Sequence, residues 1–133
     1  MTWEKARVEA SRIRFTVFVE EQRVPFEIEL DQLDPSCVHA LAYAPDGRVV
    51  ATGRLLPDGQ IGRMAVLNEW RGKGIGGEIL ERLIVAARER GGAEVALSAQ
   101  VHAVNFYRRH EFTDDGPIYE EAGILHQKMR RRI

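Results

Sequence analysis

Arg71-Gly72-Lys73-Gly74-Ile75-Gly76-Gly77 is the stretch on which the reading of this chain turns, because a strand pattern gives way there to a helical one. After it, Ile75, Ile79, Leu80, Leu83, Ile84 and Ala87 recur at three- and four-residue spacing until Gly91-Gly92 stops the run, which predicts an amphipathic helix. Four glycines within six residues disfavour the start of a helix and bring no packing in return, so they point to a backbone that must approach a ligand. A helix N-terminus aims unpaired N–H groups at an anion, and phosphate suits that geometry. Arg71 and Lys73 add positive charge for a pyrophosphate, Arg71 through a forked guanidinium. A flexible turn carrying two solvated bases is the alternative.

Before this turn the signals are those of strands. Val38 to Tyr43 and Val49 to Leu56 flank Asp46-Gly47, which predicts a hairpin. Pro57-Asp58-Gly59 is a second turn of the same kind, so Gln60 to Leu67 continues an antiparallel meander. The first segment, Glu4 to about Glu21, has apolar residues at Val8, Ile13, Phe15, Val17 and Phe18; it reads as a helix that grows more buried until Pro25 ends it. An acidic loop from Glu27 to Pro35 follows. Beyond the long helix, Glu94 to Ser98 is a fourth strand, parallel to the third because a strand, helix and strand in one sheet form a right-handed crossover. A short helix from Ala103 to His110 and strand candidates at Pro117 to Glu120 and Ile124 to Arg130 complete the pattern. The fold class is therefore α+β (mixed α/β): a central mixed sheet, an antiparallel meander and then a parallel crossover, flanked by helices.

Gly72-x-Gly74-x-x-Gly77 also matches the dinucleotide fingerprint, with Glu94 about twenty residues on. The context argues against it. A dinucleotide-binding turn directly follows the first strand of its fold, whereas three antiparallel strands and Asn68-Glu69-Trp70 precede this one. Glu94 starts its strand, and a ribose-binding acid belongs at the carboxyl end. A P-loop is excluded because no Gly-Lys-Ser or Gly-Lys-Thr is present.

Bulk properties narrow the classes further. A chain of 133 residues is expected to form one domain, 1–133, large enough to bury a core without disulfides or metal. Hydrophobic content of 44% with 29% charge is that of a soluble protein, and no window nears the roughly 18 apolar residues of a membrane span. Met1-Thr2-Trp3-Glu4-Lys5 opens neither a signal nor a transit peptide, so no membrane partner and a cytoplasmic location are expected. The lone Cys37 permits no internal disulfide and reads as a small buried residue. A net charge of −1 offers no field to draw a polyanion, so no nucleic acid partner is expected, and Arg130-Arg131-Arg132 reads as a frayed, solvated end. The reading includes no metal site.

Gly62-Arg63-Met64-Ala65-Val66, then Arg71-x-x-Gly74-x-Gly76, then Leu97-Ser98-Ala99-Gln100, then Asn105-Phe106-Tyr107 together resemble the acyl-CoA core of the GNAT superfamily of N-acetyltransferases. The resemblance runs from Phe15 to Met129. Val17-Phe18-Val19-Glu20-Glu21-Gln22, Val24-Pro25, Ala99-Gln100 and Gly123-Ile124-Leu125-His126 are similar to its ElaA-type or YjcF-type branch. The resemblance implies acetyl-CoA as cosubstrate and direct transfer in a ternary complex to a primary amine of a small molecule or peptide. It implies pantetheine along the backbone of Met64, Ala65 and Val66, and pyrophosphate on the N–H groups of Arg71, Gly72, Lys73, Gly74, Ile75 and Gly76. A splay between that strand and the next parallel one would hold the thioester, with Asn105 on the pantetheine. A domain that binds an acyl-CoA without transferring it, and a dinucleotide oxidoreductase, are the competing readings.

Acyl transfer from a thioester needs a neutral amine, a stabilised oxyanion and a proton for the departing thiolate. Tyr107 matches the superfamily's general acid, the alternative being a ring that packs the short helix. His126 is the leading base, on the resemblance of the chain's ending to that of similar acetyltransferases; Glu21, His39 and Glu120 are alternatives that could relay a proton through water. A backbone N–H at Val66 is the candidate oxyanion donor. Arg54 and Arg63, near the ends of adjacent strands, either line the acceptor pocket or pair with surface acids, and Gln100 is a candidate wall of the same pocket. Glu21, Arg54, Arg63, Gln100 and Glu120 are thus the acceptor-side candidates.

Two departures from the superfamily's pattern stand out. A strand normally precedes the first helix, yet only three residues precede Glu4, and a truncated sheet edge invites a homodimer. Glu111 stands where a glycine would end the short helix; a positive φ there would cost about 1 kcal/mol.

Overall fold

The computed structural model describes residues 1–25, 29 and 31–133. Of the predicted acidic loop, Glu27, Ile28 and Leu30 lie outside the described residues. The chain opens with α1 (Trp3–Arg14), which runs directly into a π-helical turn, Phe15–Glu21. Ala6, Ala10, Ile13 and Val17 form its buried stripe, at the four- and three-residue steps of one helix face. Val8 was expected on that stripe and is 72% exposed, because two residues along a helix turn a side chain to the opposite face.

Three strands follow as predicted: β1 (Val38–Tyr43), β2 (Val49–Leu55) and β3 (Gln60–Val66), each antiparallel to the last. Both turns close as their residues demand. Asp46 and Asp58 accept from the N–H groups of Arg48 and Gln60, and Gly47 and Gly59 take positive φ. The glycine turn leads into α2 (Ile75–Glu89), which ends at Gly91 and Gly92, whose N–H groups close on the oxygens of Arg88 and Ala87. Next come β4 (Glu94–Gln100), α3 (Val104–Arg109), β5 (Thr113–Asp114), β6 (Tyr119–Glu121) and β7 (Ile124–Arg132). β5 is too short to have left a pattern in the sequence.

Among the described residues seven strands make one sheet in the order β1-β2-β3-β4-β7-β5, with β6 also on β7. β4 is parallel to β3, as the crossover required. α2 covers one face, packing Leu80, Leu83 and Ile84 with Leu55, Ile61 and Leu97; each such buried side chain contributes roughly 1.5–3 kcal/mol. Gly53 admits α2 closely, for a Cβ there would lie 2.8 Å from Ile79 Cγ2. α1 covers the other face through Ile13 and Val17, against Val50 and Ala65.

Both departures have structural counterparts. No strand precedes α1 among the described residues; Met1 instead adds a single rung at the β1 edge, its carbonyl accepting from His39 N at 2.7 Å. Glu111 does adopt a positive φ, +67°, just past α3. The basic run is corrected: Arg130 and Arg132 are exposed, but Arg131 turns inward to Glu81, Glu111 and the carbonyl of His110, so this end of the chain is a sheet strand and not a fray.

Candidate active site

β3 and β4 begin side by side and then part. Their parallel register consists of Gln60 with Ala96 and Ile61 with Leu97, and nothing beyond. The separation starts in β3, where Arg63 takes a positive φ of 48° and the register against β2 shifts between Thr52 and Arg54. Such a bulge bends its strand away from the ladder. β4 stays straight because β7 pairs with it along its whole length, from Glu94 with Arg132 to Gln100 with His126. The result is a V-shaped opening between Gly62–Val66 and Ser98–Gln100, within a cavity of about 1400 Å³.

The glycine turn lines one end of this cavity. Gly72 and Gly74 have φ of 77° and 81°, which only glycine adopts readily, and α2 starts at Ile75 with no side chain capping its first turn. The residues that carry its leading N–H groups, Ile75, Gly76 and Gly77, line the cavity. Gly76 lies against Phe106, and a Cβ at Gly77 would stand 3.1 Å from His110 Nε2, so this glycine is needed for packing. Met64, Ala65, Val66, Arg71, Gly72, Gly74, Ile75 and Gly76 all line the cavity. Lys73 does not; its ammonium stands 6.0 Å from the centre of the Trp70 ring. Asn105 is exposed, accepts from Arg108 Nη1 at 3.2 Å, and is not part of the lining.

The Arg71 side chain is engaged elsewhere than at the amides of its own turn. Its Nη atoms donate to both carboxylate oxygens of Glu21, at 2.6 and 2.8 Å, and its Nε donates to the Val66 carbonyl at 2.9 Å. That pairing lowers the Glu21 carboxyl below its ordinary range, which makes Glu21 a partner of Arg71 and a poor base.

Tyr107 projects from α3 to the β3 arm, its hydroxyl 3.8 Å from Met64 Sδ. Burial alone pushes its phenol up to about 12, so it holds its proton throughout the neutral range. His126 lines the cavity from the β4 side; its Nδ1 lies 2.8 Å from the Ile124 carbonyl, and its ring stacks on Tyr119. Since a carbonyl only accepts, Nδ1 carries hydrogen and neutral His126 keeps a lone pair on Nε2. His39 is 2% exposed, contacts the Asp34 carbonyl and does not line the cavity, so it is no candidate base. Glu120 is corrected as well. Strand alternation turns it away, and its neighbour Glu121 is the one in the lining, one residue being enough to change faces.

Arg54 and Arg63 border the cavity but belong to a buried ionic network. Arg54 is 5% exposed, binds Asp31 with both terminal nitrogens and shares Asp34 with Arg14. Arg14, 2% exposed, also holds Glu29 at 2.5 Å, and Arg63 reaches Asp31 at 3.2 Å. Three guanidiniums thus face three carboxylates, balancing charge where the low dielectric penalises any excess. Neither arginine was expected there, because their acidic partners lie 20 or more residues away in sequence. Arg54 holds the Asp31 carboxyl down to about 2 against an ordinary value near 4. A depressed carboxyl stabilises the fold above its unfolded value and loses that contribution as pH falls through the folded one. Asp31→Asn should accordingly flatten the drop in unfolding free energy between about pH 4 and 2, by about 2 kcal/mol in an acid titration of stability.

Similarity to known proteins gives the family of the chain. The acetyltransferase (GNAT) domain profile matches residues 8–133. The chain belongs to the GNAT family. It is 34% identical over 131 residues to YjcF of Bacillus subtilis, an uncharacterized N-acetyltransferase, covering 96% of this chain and 94% of that one. Among solved structures, an acyl-CoA N-acyltransferase from Pseudomonas aeruginosa superposes with a TM-score of 0.82 at 36% identity, over 92% of this chain and 87% of that one. Escherichia coli ElaA superposes with the same score at 30% identity and the same coverage. Membership of the GNAT family carries acyl transfer from an acyl-CoA. Among the described residues no helix is long and apolar enough to cross a membrane, and no cluster of potential metal ligands is present.

The cavity also contains residues that sequence reading passed over: Gln22, Asp31, Trp70, His110 and Glu121. Gln22 stood inside a motif already quoted, and alternation from a known register would have found Glu121. Nothing local marked His110, whose ring is oriented by Glu81 across 29 residues.

Proposed function

We propose that this chain is an acetyl-CoA-dependent N-acetyltransferase that moves an acetyl group to a primary amine by direct transfer in a ternary complex. The observation that supports the reading is a buried, protonated phenol against one arm of the splay and an imidazole beside the other, with the glycine turn lining the same cavity. Tyr107 lies against the β3 arm and His126 beside the β4 arm. The amine nitrogen attacks the thioester carbon, a C–N bond forms, and the oxyanion that develops is met by a backbone N–H near the bulge, for which Val66 is our candidate. His126 Nε2 takes the amine's proton. The C–S bond then breaks and the thiolate receives the proton of Tyr107.

Acetyl-CoA at ten times its dissociation constant should stabilise the fold by about 1.4 kcal/mol, and thiol should be released only with certain members of an amine panel. No stabilisation by millimolar acetyl-CoA would overturn the proposal. Stabilisation with no thiol release from any amine would replace it with a sensor. His126→Ala should lower the rate about tenfold near neutrality, with the deficit shrinking as pH rises and the acceptor amine sheds its own proton. A pH-independent ratio near one would reassign the base.

A further inference from the structure

The segment Val17 to Gln22 contributes no reacting group to this mechanism, yet its last two residues touch both lips of the splay. The chain from Phe15 to Glu21 is wound as a π turn, and Gln22 N closes on Val17 O at 3.0 Å. π turns are rare and concentrate at functional sites. Consecutive side chains on a helix diverge by roughly 100°, so neighbours at its end can reach in two directions. Glu21 reaches the end of the β3 arm, where its carboxylate accepts from both terminal nitrogens of Arg71, whose Nε in turn donates to the Val66 carbonyl. Gln22 reaches the end of the β4 arm, where it exchanges paired carboxamide bonds with Gln100, at 3.0 and 2.8 Å. Between these points the arms share no backbone rung after Ile61 and Leu97.

We propose that Glu21 and Gln22 are positioning residues that brace the splay, fixing the gap between the β3 arm, which Tyr107 meets at Met64, and the β4 arm, which His126 joins through Gln100. The catalytic consequence rests on the acetyltransferase reading; the brace itself does not. The Gln22–Gln100 half is uncharged and independent of salt, whereas the exposed Glu21–Arg71 half is screened as ionic strength rises.

The test uses Gln22→Ala, Gln100→Ala and the double variant, with acetyl-CoA as the probe ligand. Each single change should lower kcat about tenfold, leave the acetyl-CoA dissociation constant within about twofold, and add nothing to the other, because either removes the same contact. Backbone hydrogen exchange in Gln22→Ala should quicken at Gln100 to Ala103, on the arm that was not altered, while β1 and β2 stay unchanged. Exchange confined to the mutated segment, or rate losses that multiply independently, overturns the brace. If the native protein acetylates no amine in the panel, the proposed function falls, and the exchange measurement alone decides the brace.

Discussion

Tyr107→Phe should lower turnover about 10²-fold while acetyl-CoA affinity stays nearly as it was. The substitution removes one oxygen and little else. The ring keeps its edge contacts with Phe106 and Phe112, at centroid separations of 5.0 and 6.0 Å, so the packing of α3 on the sheet survives. The hydroxyl's contact is with a thioether, a weak acceptor, so its loss scarcely affects folding. What disappears is a proton donor that burial keeps loaded, its phenol being pushed up to about 12. The native rate should therefore show no alkaline decline from this group below about pH 11. The measurement is kcat and KM for acetyl-CoA in both proteins, with a melting curve to verify the fold. Undiminished kcat would remove Tyr107 from the chemistry.

Arg14→Ala should cost about 3–5 kcal/mol of folding free energy, which is a large share of the 5–15 kcal/mol that ordinarily holds a domain together. Arg14 is the inner member of the ionic network, joining Glu29 to Asp34 beneath α1 with its guanidinium 5.5 Å from the Trp3 ring. Among the described residues Glu29 then loses its ion pair and Asp34 keeps Arg54, so a carboxylate is left buried and unbalanced. Lysine is a poor substitute, because its compact ammonium lacks the planar fork whose Nε and Nη1 meet Glu29 and Asp34 separately. Urea unfolding of Arg14→Ala and Arg14→Lys against the native chain measures the effect. A loss under about 1 kcal/mol for Arg14→Ala would show that the network contributes no more than surface pairs do.

Much of the fold could be read from residues near each other in the chain. Asp-Gly turns, a three-to-four-residue apolar period and a pair of glycines at a helix end are local signals with local causes, and β1 to β4 and α2 lie where those signals put them. The expected strain at Glu111 belongs to the same class, since the end of a helix imposes its own backbone angle. The errors are equally instructive. Glu120 for Glu121 is a register error, and only pairing with β7 fixes which face a residue takes. Arg54 and Arg63 were equivocal because a charge near a strand end looks the same whether it meets solvent, substrate or a buried acid.

By itself the sequence determined the order of the main elements from α1 to β4, the parallel crossover and the glycine-rich turn before α2, because each depends on contacts within a few residues or on chain handedness. Only the tertiary structure decided which side chains share the cavity: that Arg71 closes on Glu21, that Gln22 meets Gln100 across 78 residues, and that three arginines are neutralised under α1. Such partners are chosen by burial and distance in space, and neither quantity is written in any short stretch of the chain.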